Sequence, residues 1–125
     1  MPIEYLDFDP PRPYARASRA GDFIFLHGIG GQEVETGEIP ERGIIPETEL
    51  TFKIIRETLE AFGAGLEDIA RTTVYLVDLE DRLPFQEVRR RHLPRPVPST
   101  LLCVKQLGFD LRVEVDVIAY KPARD

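Results

Sequence analysis

The sequence predicts an α+β domain, a mixed six-stranded sheet with two helices on one face. Val113, Val115, Val117 and Ala119 alternate with Arg112, Glu114 and Asp116, the period-two pattern of a strand with one buried side. Leu50, Ile54, Ile55, Leu59 and Phe62 recur at helical spacing and give a broad apolar side to lay on a sheet. The runs follow the order strand, strand, strand, helix, strand, helix, strand, strand, which suits one sheet layer covered by one helix layer.

Ile3 to Phe8 reads as a short first strand, ended by Pro10, Pro11 and Pro13, which force an extended path. Tyr14 to Ser18 and Phe23 to His27 flank Ala20-Gly21-Asp22 and read as a hairpin. Gly28, Gly30 and Gly31 follow, a cluster that is either a plain flexible loop or one in which backbone amides face a ligand because no side chain stands before them. It matches neither a Walker loop nor the dinucleotide fingerprint. His27 stands at the end of a strand beside this loop, where it could line a cleft, and a satisfied structural histidine is the expected role.

Pro46 to Phe62 is the stronger helix, with a proline and the acids Glu47 and Glu49 at its start and Gly63 as C-cap. Arg71 to Val77 is rich in β-branched and aromatic residues and reads as a central strand. Leu83 to His92 forms a shorter helix, with Arg89, Arg90 and Arg91 as a solvated face. Pro98 to Tyr120 reads as two strands, Leu101 to Val104 and Val113 to Ala119, joined in a hairpin through Leu107 to Asp110. Cys103, within the apolar run, is expected to be a buried, inert thiol.

At 125 residues the chain is one domain, 1–125, long enough to bury a core without staples. Its 42% hydrophobic and 30% charged content is ordinary, and no apolar run approaches the ~20 residues that cross a bilayer. The acidic N-terminus lacks the pattern of a secretory signal, so a cytoplasmic protein is expected. A single cysteine excludes an intrachain disulfide, and the two histidines form no zinc pattern. Net charge −6 weighs against nucleic acid or an anionic membrane as the main partner. The sheet face opposite the helices would be left bare, so it is expected to be an oligomer interface.

Four stretches carry a resemblance over nearly the whole chain: Pro13-Tyr14 before a hairpin ending at Gly28; Thr36-Gly37-Glu38-Ile39-Pro40; Leu66 to Leu79, LEDIARTTVYLVDL; and Val113 to Ala119. Together they resemble the Rid/YjgF family of reactive intermediate deaminases. The resemblance implies a chorismate-mutase-like fold and a homotrimer with ligand clefts between subunits. It also implies hydrolysis of small enamines and imines, such as 2-aminoacrylate, to 2-oxo acids and ammonia without a cofactor or metal. By position, Glu114 matches the glutamate proposed to hold the attacking water, Tyr14 the tyrosine near the cleft, and Gly28 the loop glycine whose backbone faces the ligand. Gln86 falls where many members have an asparagine.

The family's carboxylate-binding arginine falls two residues after Pro98, where this chain has Ser99-Thr100. A neutral hydroxyl on Ser99 or Thr100 replaces a bidentate charged contact. Arg16, Lys105 and Arg112 are candidates to stand in, and a substrate lacking the α-carboxylate is the expected consequence. Val-Lys-Gln-Leu and Ala-Tyr-Lys-Pro near the C-terminus resemble the aminomuconate deaminase branch. A trimer of the same fold that binds a metabolite without turnover is the alternative. Ribonuclease or translation inhibition, also associated with the family, is weighed against by the acidic composition.

Overall fold

The computed structural model describes residues 2–122. Six strands, β1 (Glu4–Leu6), β2 (Ala17–Ala20), β3 (Phe23–Leu26), β4 (Ile69–Leu76), β5 (Ser99–Cys103) and β6 (Val113–Tyr120), form one sheet in the order β1-β2-β3-β6-β4-β5. Only β4 and β5 pair in parallel; every other pairing is antiparallel, so the sheet is mixed. Helices α1 (Ile44–Glu60) and α2 (Arg82–His92) cover one face.

Helix α1 forms where the apolar spacing predicts it, buries Phe52, Ile55 and Leu59 completely, and begins slightly before Pro46. Its start is held by Glu47, a side chain 1% exposed whose Oε2 accepts from Gly43 N at 3.0 Å and whose Oε1 accepts from Arg112 N at 2.8 Å. The first contact satisfies an orphan donor at the helix N-terminus, and the second ties the helix to the approach to β6. At the far end Gly63 has φ 76°, Gly63 N donates to Glu60 O at 3.0 Å and Ala64 N donates to Leu59 O at 3.0 Å. This pair of bonds is a Schellman closure, which requires the left-handed conformation glycine adopts freely.

Strand β6 alternates as expected: Val113, Val115, Val117 and Ala119 are buried beneath the helices, while Glu114 and Asp116 point to the other face. The C-terminal hairpin is not formed. β6 lies between β3 and β4, and β5 pairs with the opposite edge of β4. Alternation states which side of a strand is buried and says nothing of its neighbour. The connector 104–112 steps across the end of β4, where Val104 N donates to Leu76 O at 2.7 Å. Placing β6 centrally gives it a hydrogen-bonded partner on both edges.

Because β5 is therefore an edge strand, Cys103 is exposed rather than buried. Arg89, Arg90 and Arg91 near the end of α2 also differ from a uniformly solvated face. Arg90 and Arg91 make surface ion pairs with Glu87 and Glu49, whereas Arg89 lies over the Phe85 ring at 5.5 Å and is partly withdrawn from water. No helix among the described residues is long and apolar enough to cross a membrane.

Candidate active site

Strand β3 ends at Leu26 and delivers His27 and the glycine loop to the end of the sheet. The loop is pinned there by Ile29, whose N–H donates to Val115 O at 3.0 Å and whose carbonyl accepts from Val115 N at 2.9 Å. Fixing Ile29 opposite Val115 sets Gly28 directly against the side chain of Glu114. A Cβ on Gly28 would overlap Glu114 Oε2 and lie 2.7 Å from its Cδ. The neighbouring glycines have other duties. A Cβ at Gly30 would press on Leu111, and one at Gly31 would lie 2.6 Å from the Cα of Glu47, so these two allow close packing rather than ligand approach.

Glu114 opens into a hollow of about 340 Å³ that also takes in Phe8, Arg12, Tyr14, His27 and Gly28. Burial, and next the negative charge of Asp116, push the Glu114 carboxyl above its ordinary value. Asp116 accepts from the Tyr75 hydroxyl at 2.9 Å, and that contact raises the Tyr75 phenol in turn. The opposite wall is aromatic. Tyr14 stacks on His27 with ring centroids 5.7 Å apart, and the buried Phe8 meets both rings edge-on. Desolvation, then the charges of Arg12 and Arg16, lower the His27 pKa, so the imidazole is neutral near pH 7. Among the described residues its buried Nδ1 has no hydrogen-bond partner, and the Arg16 backbone offsets part of that lowering. At the rim, Phe109 and Asp110 have φ of 59° and 60°, held by Arg42 donating to both of their carbonyls. Phe109, 69% exposed, projects at the mouth of the hollow.

Of the residues singled out in the sequence, the single chain brings Tyr14, Gly28 and Glu114 into this hollow and places Gln86, Ser99 and Thr100 elsewhere. Ser99 and Thr100 are on the edge strand β5, and Gln86 is on α2, joined to Ser99 through Arg89. Arg89 donates to Gln86 Oε1 at 2.6 Å and to Ser99 Oγ at 3.1 Å. Ser99 also accepts from Thr72 Oγ1 at 2.8 Å, and Thr100 Oγ1 accepts from Arg71 Nη2 at 2.7 Å. Thr100 is in register with Thr73, and Thr73 with Asp116, so Thr100 is on the open face of the sheet. Of the candidate replacement cations, Arg16 donates to Thr58 Oγ1 at 3.4 Å, Arg112 is bonded to Asp81 at 2.8 Å, and Lys105 lines a different hollow beside Arg112.

Arg12 was legible to no periodic pattern, because it sits in the proline-rich path between β1 and β2. His27 was visible as a residue next to glycines, and its missing partner appears only in three dimensions.

Gly28→Ala tests the geometry at Glu114. The methyl group collides with the mobile end of a side chain and not with backbone, so the variant is expected to fold. Displacement of the carboxylate by about 1 Å should lower turnover by roughly 10–100-fold. Steady-state kinetics alongside thermal melting checks this; an unchanged rate in a folded variant would show that the carboxylate position is unimportant.

Residues 6–121 match the family model described as Endoribonuclease L-PSP. A RutC family protein of Pyrococcus abyssi is 36% identical over 113 residues, covering 90% of this chain and 89% of that protein. The chloroplastic Reactive Intermediate Deaminase A of Arabidopsis thaliana is 32% identical over 108 residues, covering 86% of this chain and 58% of the relative. The crystal structure of RidA from an Antarctic Psychrobacter superposes with a TM-score of 0.82 at 30% identity, covering 87% of this chain and 89% of that one. With its mixed six-stranded sheet, its two helices and these matches, the chain belongs to the Endoribonuclease L-PSP family, the Rid/YjgF proteins.

Proposed function

We propose that this protein hydrolyses a small imine, or the enamine that tautomerises to it, to the carbonyl compound and ammonia, using no cofactor. The observation that carries the reading is the half-buried Glu114 carboxyl, raised in pKa and pressed against Gly28 in a hollow of about 340 Å³. A carboxyl moved toward neutrality can both take and return a proton. The Arabidopsis relative, named a reactive intermediate deaminase, supports the same class of reaction.

In the proposed sequence, Glu114 takes a proton from water as the water oxygen bonds to the imine carbon. Glu114 returns that proton to the nitrogen as the C=N electron pair moves there, giving a neutral tetrahedral carbinolamine. Glu114 then takes the hydroxyl proton as the carbonyl forms and delivers it to the same nitrogen, the C–N bond breaks, and ammonia leaves with the carboxylate restored. Tyr14 and the neutral His27 form the wall that keeps the substrate plane against this carboxyl.

A homotrimer is part of the proposal. The open sheet face exposes Phe23, Phe25 and Tyr120, with Phe23 and Tyr120 rings 5.2 Å apart, an apolar patch that a second copy would cover. Association through this face would carry Thr100 of one copy, which is on the same open side, toward the Glu114 hollow of the next. Binding without turnover is the second reading, favoured by threonine at position 100.

The test is ammonia release from freshly generated 2-iminopropanoate, from an aminomuconate and from a set of uncharged imines, on protein whose mass in solution has been measured. Release above the spontaneous rate is expected from a trimer. A folded trimer with no turnover on the whole set would overturn hydrolysis in favour of binding.

A further inference from the structure

We propose that Arg12 is the anion-binding residue of this cleft, holding the carboxylate of a small imino or enamino acid while Glu114 manages water. The assignment rests on the imine-hydrolysis reading and names its substrate class: acids, against the uncharged imines that threonine at position 100 leads one to expect.

The positively charged side chains near the site divide by what already holds them. Arg71 donates to Thr100 and opens onto a separate hollow with Thr73 and Asp116 on the other side of Gly28, Arg89 is held by Gln86 and Ser99, and Arg112 by Asp81. Arg16 reaches Thr58, and Lys105 belongs to a separate hollow. Among the described residues, Arg12 is the arginine that lines the same hollow as Glu114, and no lysine lines it.

Its setting is that of a prepared anion receptor. The guanidinium carbon sits over the Phe8 ring, 4.0 Å from the centroid, and Arg12 Nη2 donates to Val34 O at 3.1 Å. These two contacts fix the plane of the group. Among the described residues its other N–H groups make no hydrogen bond, and a planar guanidinium with an unused edge is suited to two-pronged carboxylate recognition. Phe8 is itself 4% exposed and packed on Tyr14 and His27, so the receptor is continuous with the aromatic wall. After burial, the Arg12 charge is the largest influence holding His27 neutral, so its field reaches the site. Two carboxyl groups, Glu33 and Glu114, line the same space, so Arg12 is the one positive charge there among the described residues.

The experiment is calorimetric titration of 2-oxopropanoate and its uncharged amide into wild type, Arg12→Gln and Arg12→Lys, joined to kinetics on 2-iminopropanoate. Wild type should bind the acid more tightly than the amide. Arg12→Gln should weaken acid binding by roughly 10–100-fold, leave the amide unchanged, and raise KM by the same factor with kcat within about threefold. Arg12→Lys should recover part of the loss. Equal affinity of Arg12→Gln and wild type for the acid, or equal weakening toward acid and amide, would overturn the assignment, as would a wild type that binds neither. Because the titration needs no chemistry, the two readings fail separately. Turnover with an unaffected Arg12→Gln sinks the anchor alone, and Arg12-dependent acid binding without turnover sinks hydrolysis alone.

Discussion

Glu114→Gln is expected to reduce imine hydrolysis by about 10²–10⁴-fold, the range that a positioned general base contributes. The amide keeps the volume beside Gly28 and cannot take a proton from water. In wild type the active form is the carboxylate, so the rate should climb as pH rises through a value above the ordinary glutamate range. That rise should be absent in the variant. Stability should move the other way. A carboxyl whose pKa is raised by folding contributes stability that is complete below its unfolded value and lost as pH rises through the folded one. At neutral pH, the buried charge beside Asp116 is therefore a burden, and Glu114→Gln should melt no lower than wild type there. A variant that retains turnover within about threefold would remove Glu114 from the chemistry; one that loses both turnover and stability would mark it as a structural residue.

Glu47→Ala carries the largest expected effect on folding. Its carboxyl, 1% exposed, accepts two backbone N–H groups, one at the start of α1 and one just before β6. Hydrogen bonds to charged groups contribute about 1.5–3 kcal/mol each, and truncation leaves both donors without a partner in the interior. A loss of about 3–5 kcal/mol is expected, a large share of the 5–15 kcal/mol typical of a domain. Chemical denaturation of Glu47→Ala against wild type measures it, and a loss below about 1 kcal/mol would show that water or another donor-acceptor arrangement replaces the contact. Glu47→Gln should fall between, since an amide offers one acceptor and turns a donor toward the other N–H.

The sequence made this residue visible only as an acid in the first turn of a helix. Its contact with Arg112, far away in the chain, had no local signature. The same division runs through the site. The alternation in β6 is enough to point Glu114 away from the core, because a strand must bury its valines. That Gly28 presses on this carboxyl follows from Ile29 pairing with Val115, a long-range choice of partner.

The C-terminal hairpin shows the limit most plainly. Leu101 to Val104 and Val113 to Ala119 both read as strands, and both are strands over most of those spans. Each could satisfy its hydrogen bonds with any compatible edge. β4 offered two, and taking both placed β6 at the centre and left Cys103 on an edge. Arg12 is the extreme case, a residue in a proline-rich stretch that no period could place, brought to the hollow by the packing of Phe8 against Tyr14 and His27.

What the sequence determined by itself was therefore local: which side of α1 is apolar, its closure at Gly63, and which face of β6 carries its acids. These follow from side-chain period and backbone freedom within a few residues. The tertiary structure alone decided which strands are neighbours, which arginines are already engaged and which carboxyl is desolvated, since each depends on groups distant in the chain competing for the same hydrogen bonds and the same water.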